Sequence, residues 1–189
     1  MMLGEARDGV SVIRCRGAEI VVGSVDGRVR GYDVRVGRVV VDVLPGPVGW
    51  VDLAREGGSM LVSCLDGKMR LMDRENGGCL RVFPDTRDAS VTSDGSEEKR
   101  EGGRVGYQNK SLRLQSCLAQ RDGLVVSGSE ADGWVRGWDV LTGKEVGLVE
   151  CGSTGKPVSV VKWREGSEAA GRRAVWAGAG VDGVVRVYS

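Results

Sequence analysis

Ser127 to Val140 reads SGSEADGWVRGWDV. It predicts a short strand, a tight turn at Asp132-Gly133, and a second strand closing in Trp138-Asp139. Apolar strands on either side of Asp-Gly form a strong hairpin signal, because Gly accepts the positive φ that such turns demand. The same hairpin occurs three more times: GSVDGRVRGYD from Gly23 to Asp33, SCLDGKMRLMD from Ser63 to Asp73, and GAGVDGVVRVY from Gly178 to Tyr188. Asp26, Asp66 and Asp182 open the other three turns. The closing aromatic-Asp pair is Tyr32-Asp33 in the first copy, Met72-Asp73 in the second and Tyr188-Ser189 in the last.

A unit that closes in Trp-Asp at a period of about 40–45 residues is the signature of a WD-repeat propeller blade, four short strands per repeat. The steps here are 40 residues from Asp33 to Asp73, 66 from Asp73 to Asp139 and 50 from Asp139 to Ser189. The long step marks an insertion. The expected fold is therefore all-β: a WD-repeat β-propeller of four blades, standing as an open arc or a part of a larger ring. The blades span about 9–44, 48–83, 112–149 and 158–189.

Strands of blade one are expected at Val10–Cys15, Glu19–Ser24, Arg28–Asp33 and Arg38–Leu44. Blade two gives Val48–Ala54, Ser59–Cys64, Lys68–Asp73 and Cys79–Phe83. Blade three gives Leu112–Leu118, Leu124–Ser129, Trp134–Val140 and Glu145–Val149. Blade four gives only Val158–Trp163, Arg173–Gly178 and Val184–Tyr188. Pro45, Pro47, Pro84 and Pro157 all fall at strand ends, where a missing N–H breaks no ladder. Residues 84–106 form the insertion. Its core, Pro84 to Arg104, carries six acids and four bases with almost no apolar residue, a composition that predicts disorder.

Composition narrows the function classes. Hydrophobic residues make up 41% and charged residues 28%, an ordinary soluble mixture. Gly accounts for 31 of 189 residues, as many turns require. The formal net charge of +1 creates no global field toward nucleic acid or membrane. No apolar run nears the roughly 18–20 residues needed to span a bilayer. Met1 to Asp8 does not read as a signal peptide. The five cysteines, Cys15, Cys64, Cys79, Cys117 and Cys151, are scattered with no CxxC pair, and the chain has no His to complete a zinc site. They read as buried, reduced thiols, hence a reducing compartment, cytoplasm or nucleus.

Motifs that resemble chemistry do not hold up. Gly178, Gly180 and Gly183 match GxGxxG, but a strand follows where a dinucleotide site needs a helix. Gly152 to Pro157, GSTGKP, has Pro157 where a phosphate loop needs Ser or Thr, and Glu150 where it needs its first Gly. Asn109-Lys110-Ser111 is a formal glycosylation sequon with no secretory signal before it. Without His, no Ser-His-Asp site can form. No catalytic, metal or cofactor residue is assigned, and an enzyme is not expected. Arg14, Arg16, Arg28, Arg30, Arg35 and Arg38 cluster in blade one. With no interleaved aromatics, Arg30, Arg70 and Arg136 read as solvated or inter-blade side chains rather than a nucleic-acid platform.

Three stretches carry a closer resemblance: Gly23 to Gly37, Val62 to Asp73 with Gly77, and Leu112 to Val140, including QRDGLVVSGSE from Gln120 to Glu130. They resemble the mitogen-activated protein kinase organizer family of WD-repeat proteins. The resemblance implies a seven-bladed, non-catalytic scaffold, binding kinase-cascade or spliceosomal proteins in cytoplasm and nucleus. Neither a small-molecule substrate nor a membrane is implied. The chain matches the later four blades of that pattern. Of the family's structural Asp-His-Ser-Trp tetrad it keeps Asp132, Ser127 and Trp138, while Gly106-Tyr107 replaces Gly-His. The structural repeat residues are thus Asp26, Asp33, Asp66, Asp73, Ser127, Asp132, Trp138, Asp139 and Asp182, and partner-binding residues are unassigned. The alternative is a truncated propeller without independent activity.

Overall fold

The computed structural model describes residues 4–84, 106–151, 155–166 and 174–189. It is all-β, with four antiparallel sheets set side by side as four consecutive blades of a β-propeller. Blade one holds β1 (Val10–Arg16), β2 (Glu19–Ser24), β3 (Arg28–Asp33) and β4 (Arg38–Val43). Blade two holds β5 (Val48–Leu53), β6 (Ser59–Cys64), β7 (Lys68–Asp73) and β8 (Cys79–Phe83). Blade three holds β9 (Cys117–Ala119), β10 (Leu124–Gly128), β11 (Trp134–Asp139) and β12 (Glu145–Glu150). Blade four holds β13 (Val158–Arg164), β14 (Val175–Gly180) and β15 (Val185–Tyr188). Each sheet is a meander in chain order, so every strand pairs with its sequence neighbour. Of the 84–106 insertion, residues 85–105 lie outside the described residues.

The Asp-Gly turns explain the hairpins. In blades one and two the pairs Ser24↔Arg28 and Cys64↔Lys68 leave three-residue loops, closed by Gly27 and Gly67 at φ 76° and 81°. Only Gly enters that region without a Cβ penalty. Blade three departs from the expected tight turn. Its last pair is Gly128↔Val135, so the loop runs over Ser129–Trp134. The enlarged loop has a consequence upstream. The Glu130 carboxylate accepts the backbone N–H groups of Lys110 (2.8 Å), Ser111 (3.0 Å) and Leu112 (2.9 Å) and holds that segment off the sheet. The expected strand Leu112–Leu118 therefore shortens to β9. Gln115 leaves its own blade to form a parallel bridge with Val160 of β13, its N–H donating to the Ser159 carbonyl at 2.8 Å. β14 also sits later than the expected Arg173–Gly178, because its ladder with β13 runs on to Val158↔Gly180. Arg173 itself is outside the described residues.

The core is divided among the seams between blades. Val12, Val21 and Val29 of blade one pack on Val48, Val51, Met60 and Val62 of blade two. Leu61, Met69, Leu71 and Phe83 of blade two pack on Val125 and Trp138 of blade three. Val126, Val135 and Cys117 of blade three pack on Val158 and Val161 of blade four, flanked by Trp163, Trp176 and Tyr188. In the first and third seams the innermost strand of one blade, β5 or β13, drives its side chains into the broad face of the blade before it, whereas in the second β10 and β11 supply the buried contacts. Among the described residues no fourth cluster joins blade four to blade one. That gap corrects one expectation. Cys15 lies in a strand but is exposed, because it faces the side of β1 against which no blade packs, and Cys79 on the outer strand β8 is exposed too. Cys64, Cys117 and Cys151 are buried.

Candidate protein-interaction surface

The aspartates of the Asp-Gly turns serve two purposes. Each accepts the backbone N–H two residues on: Arg28 to Asp26 (3.1 Å), Lys68 to Asp66 (3.1 Å), Trp134 to Asp132 (3.2 Å) and Val184 to Asp182 (3.1 Å). This is the turn role expected of Asp. Each also pairs with an arginine four residues later, across the hairpin: Arg30 with Asp26 (2.6 Å), Arg70 with Asp66 (2.5 Å), Arg136 with Asp132, and Arg186 with Asp182 (2.8 Å). Arg30, Arg70 and Arg136 are buried, not solvated. The Arg30 guanidinium, with burial opposing it, holds the Asp26 carboxyl well below the usual carboxylate range. The fourfold pattern Asp-Gly-x-x-Arg was the available signal, and reading each Asp as a turn residue alone missed it.

Ser127 and Trp138 are both buried, and each has partners of its own. Ser63 donates to Ser116 (3.0 Å), Ser116 to Ser127 (2.8 Å), and Ser127 to the Gly128 carbonyl (3.0 Å). This buried hydroxyl chain ties blade two to blade three. Trp138 packs edge-on against Tyr107, ring centroids 5.4 Å apart, so the residue in place of the family's His contributes an aromatic wall. Burial pushes the Tyr107 phenol up to about 12. All of these groups are internal to the fold.

The opposite end of the ring, built from the turns after β1, β5 and β9 and the turns after β3, β7 and β11, carries the exposed chemistry. Asp33, Asp73 and Asp139 each open such a turn. Asp33 accepts the Arg35 N–H (2.9 Å), Asp73 the Glu75 N–H (2.8 Å) and Asp139 the Thr142 N–H (2.7 Å). Arg35 also reaches Asp33 through its guanidinium at 2.9 Å, which with the backbone bond lowers that carboxyl to about 2.

Neighbouring blades clamp one another at this end. Arg16 of blade one donates to the Ala54 (2.8 Å) and Arg55 (2.6 Å) carbonyls of blade two. The Arg55 N–H donates to Asp122 of blade three (2.7 Å), and the Arg121 N–H to Glu165 of blade four (2.6 Å). Gln120, Arg121 and Asp122 stand at φ 50°, 55° and 68°, three successive non-glycine residues in the left-handed region. Such strain persists only where surrounding contacts impose it, here the two flanking clamps. Between blades one and two the same end opens into a groove of about 430 Å³, bordered by Arg16, Glu19, Asp33, Arg35, Glu56 and Arg74. Arg74 is fixed by the Gly57 carbonyl (2.7 Å) and by Glu19, and forms a rigid wall. Arg35 and Glu56 stand exposed at the rim.

On the axis, Arg14 of β1 lies 3.9 Å over the Trp50 ring of β5, and Lys162 of β13 approaches the same ring at 5.2 Å. Burial raises the Asp52 carboxyl beside them, although the Leu118 N–H donates to it at 2.9 Å. Among the described residues no group of three or more His, Cys, Asp or Glu side chains is placed to hold a metal ion.

The chain is 38% identical over 141 residues to WD repeat domain-containing protein 83 of Rattus norvegicus, an alignment covering 75% of this chain and 38% of that protein. The Homo sapiens protein of the same name is 39% identical over 141 residues with the same coverage. A WD repeat-containing protein of Schizosaccharomyces pombe is 31% identical over 139 residues, 74% of this chain and 39% of that one. The chain thus spans about two fifths of the length of these relatives. No family model matches it. In three dimensions it resembles the computationally designed Ika4 protein, with a TM-score of 0.66 and 17% identity over 99% of this chain and 94% of that one, a likeness of fold.

Proposed function

Because the chain belongs to the WD-repeat family, we propose that it is a non-catalytic protein-interaction scaffold whose contact face is the groove between blades one and two. The observation that carries this reading is the groove itself. It is open, charged in both signs and built on turns that the ring fixes rigidly. Three basic and three acidic side chains suit a partner segment carrying both charges better than an apolar small molecule, which would want a mostly hydrophobic pocket. Complementary charge at such a rim steers encounter and gives specificity, and salt weakens it.

A finer reading rests on the resemblance of Gly23 to Gly37, Val62 to Asp73 and Leu112 to Val140. Partners would be kinase-cascade or spliceosomal proteins, met in cytoplasm and nucleus. The unpaired buried cysteines fit those reducing compartments. Direct nucleic-acid binding is not part of the proposal, since Arg30, Arg70 and Arg136 are already paired inside the blades.

Affinity capture with the wild-type chain and with an Arg35→Glu, Glu56→Lys variant tests both levels. The wild type should retain partners that the variant loses. Equal retention refutes the groove, and a wild-type set without kinase-cascade or splicing proteins refutes the finer reading.

A further inference from the structure

The receiving side uses equivalent positions in all three packed seams and the inserting side in two of them, fixed by strand register. On the inserting side, Val51 pairs with Val62 and Val161 with Gly178, and both side chains are fully buried against the preceding blade. Ile13, paired with Val22, holds the same position in blade one and is 55% exposed. On the receiving side, Val29, Met69 and Val135 are at most 3% exposed beneath the next blade. Val185 holds that position in blade four, paired with Ala179 as Val29 is with Gly23, and is 66% exposed. Val187 beside it is equally open, where Leu71 is buried in blade two. One chain therefore carries both halves of a fourth seam, and among the described residues neither half is filled.

We propose that a second copy of this chain fills them, with the Ile13 side of each copy's blade one inserted against the Val185–Val187 face of the other copy's blade four. The interface is heterologous. Used twice around a two-fold axis, it closes eight blades into one ring and leaves no half-seam bare. The chemistry of the occupant follows from the three seams already formed. What covers Val29 and Val135 includes the innermost strand of the following blade, β5 and β13, and each copy has one such strand with an unburied apolar side in β1. Contiguous exposed apolar surface of this kind marks an interaction site in a soluble protein.

Sedimentation velocity on the full chain at tens of micromolar reads the outcome. The wild type should sediment with the mass of two chains. Ile13→Glu and Val185→Glu should each sediment as single chains with unchanged circular dichroism, because both sites are exposed within one copy. An equimolar mixture of the two variants should again give a two-chain species, since one of its seams pairs native Ile13 with native Val185. That complementation separates a heterologous seam from a self-matching one. A monodisperse wild-type monomer overturns the proposal, whether it closes on itself or awaits blades from elsewhere. So do open-ended polymers, or a variant mixture that stays monomeric.

Discussion

Removing Asp26 isolates a buried guanidinium. The Arg30 side chain is 3% exposed and its charge is met by Asp26 at 2.6 Å, with Ser24 as a neutral acceptor at 2.8 Å. Asp26→Ala leaves that charge without its ion-pair partner in a site largely closed to water. Breaking a buried pair from one side costs about 3–5 kcal/mol. Asp182→Ala makes the same change in blade four, where the Arg186 side chain is 32% exposed and water replaces the lost carboxylate. An exposed pair contributes about 0–1 kcal/mol. For a domain of this size each kcal/mol moves Tm by about 2–4 °C, so Asp26→Ala should melt on the order of 10 °C below the parent and Asp182→Ala no more than about 4 °C below. Thermal unfolding followed by circular dichroism at pH 7 measures both. Asp26→Leu with Arg30→Met should recover much of the loss, because an apolar pair removes the unpaired charge. Equal losses in Asp26→Ala and Asp182→Ala would falsify the assignment of the first pair as a buried, mutually dependent one.

Trp138→Ala should cost about 3–5 kcal/mol by emptying the seam between blades two and three, read as a lower urea midpoint; an unchanged midpoint would show that this seam is not packed. A thiol reagent at pH 8 should modify Cys15 and Cys79 rapidly and the other three cysteines only after denaturation, since burial raises the Cys64 thiol to about 11 and the Cys117 thiol to about 12. Acid should destabilise the fold: the folded pKa values of Asp26, Asp33 and Asp182 are depressed, so their contribution is complete above about pH 4 and is lost as pH falls through the folded values. A Tm that does not fall between pH 5 and pH 2 would contradict those pairings.

Blades were legible because Asp-Gly turns and the closing aromatic-Asp recur at fixed spacing, and a meander places sequence neighbours side by side. What lay beyond the pattern depended on contacts between blades. Nothing local to Lys110–Gln115 shows that Glu130 will capture three of its N–H groups and free Gln115 for β13. Cys15 looked buried because strand alternation predicts that a face is covered, not which blade covers it. The Asp-Gly-x-x-Arg pairs were in plain view, and an arginine in a strand reads as solvated until its carboxylate is placed four residues away. The groove joins Arg16, Arg35, Glu56 and Arg74 across two blades, a proximity set by ring geometry rather than by any motif.

Within a single copy, three packed seams in a row among the described residues make a linear chain of nearest neighbours, and such systems lose order from their ends. Blades two and three each have a neighbour on both sides, whereas blades one and four have one apiece. The three-stranded sheet of blade four, with β15 along its margin, is then the region whose amides exchange with solvent first, and the strands around Val62 and Val125 the last. Local opening would thus occur beside Val185 and Val187, making the least protected part of the ring also the part that presents its unfilled half-seam.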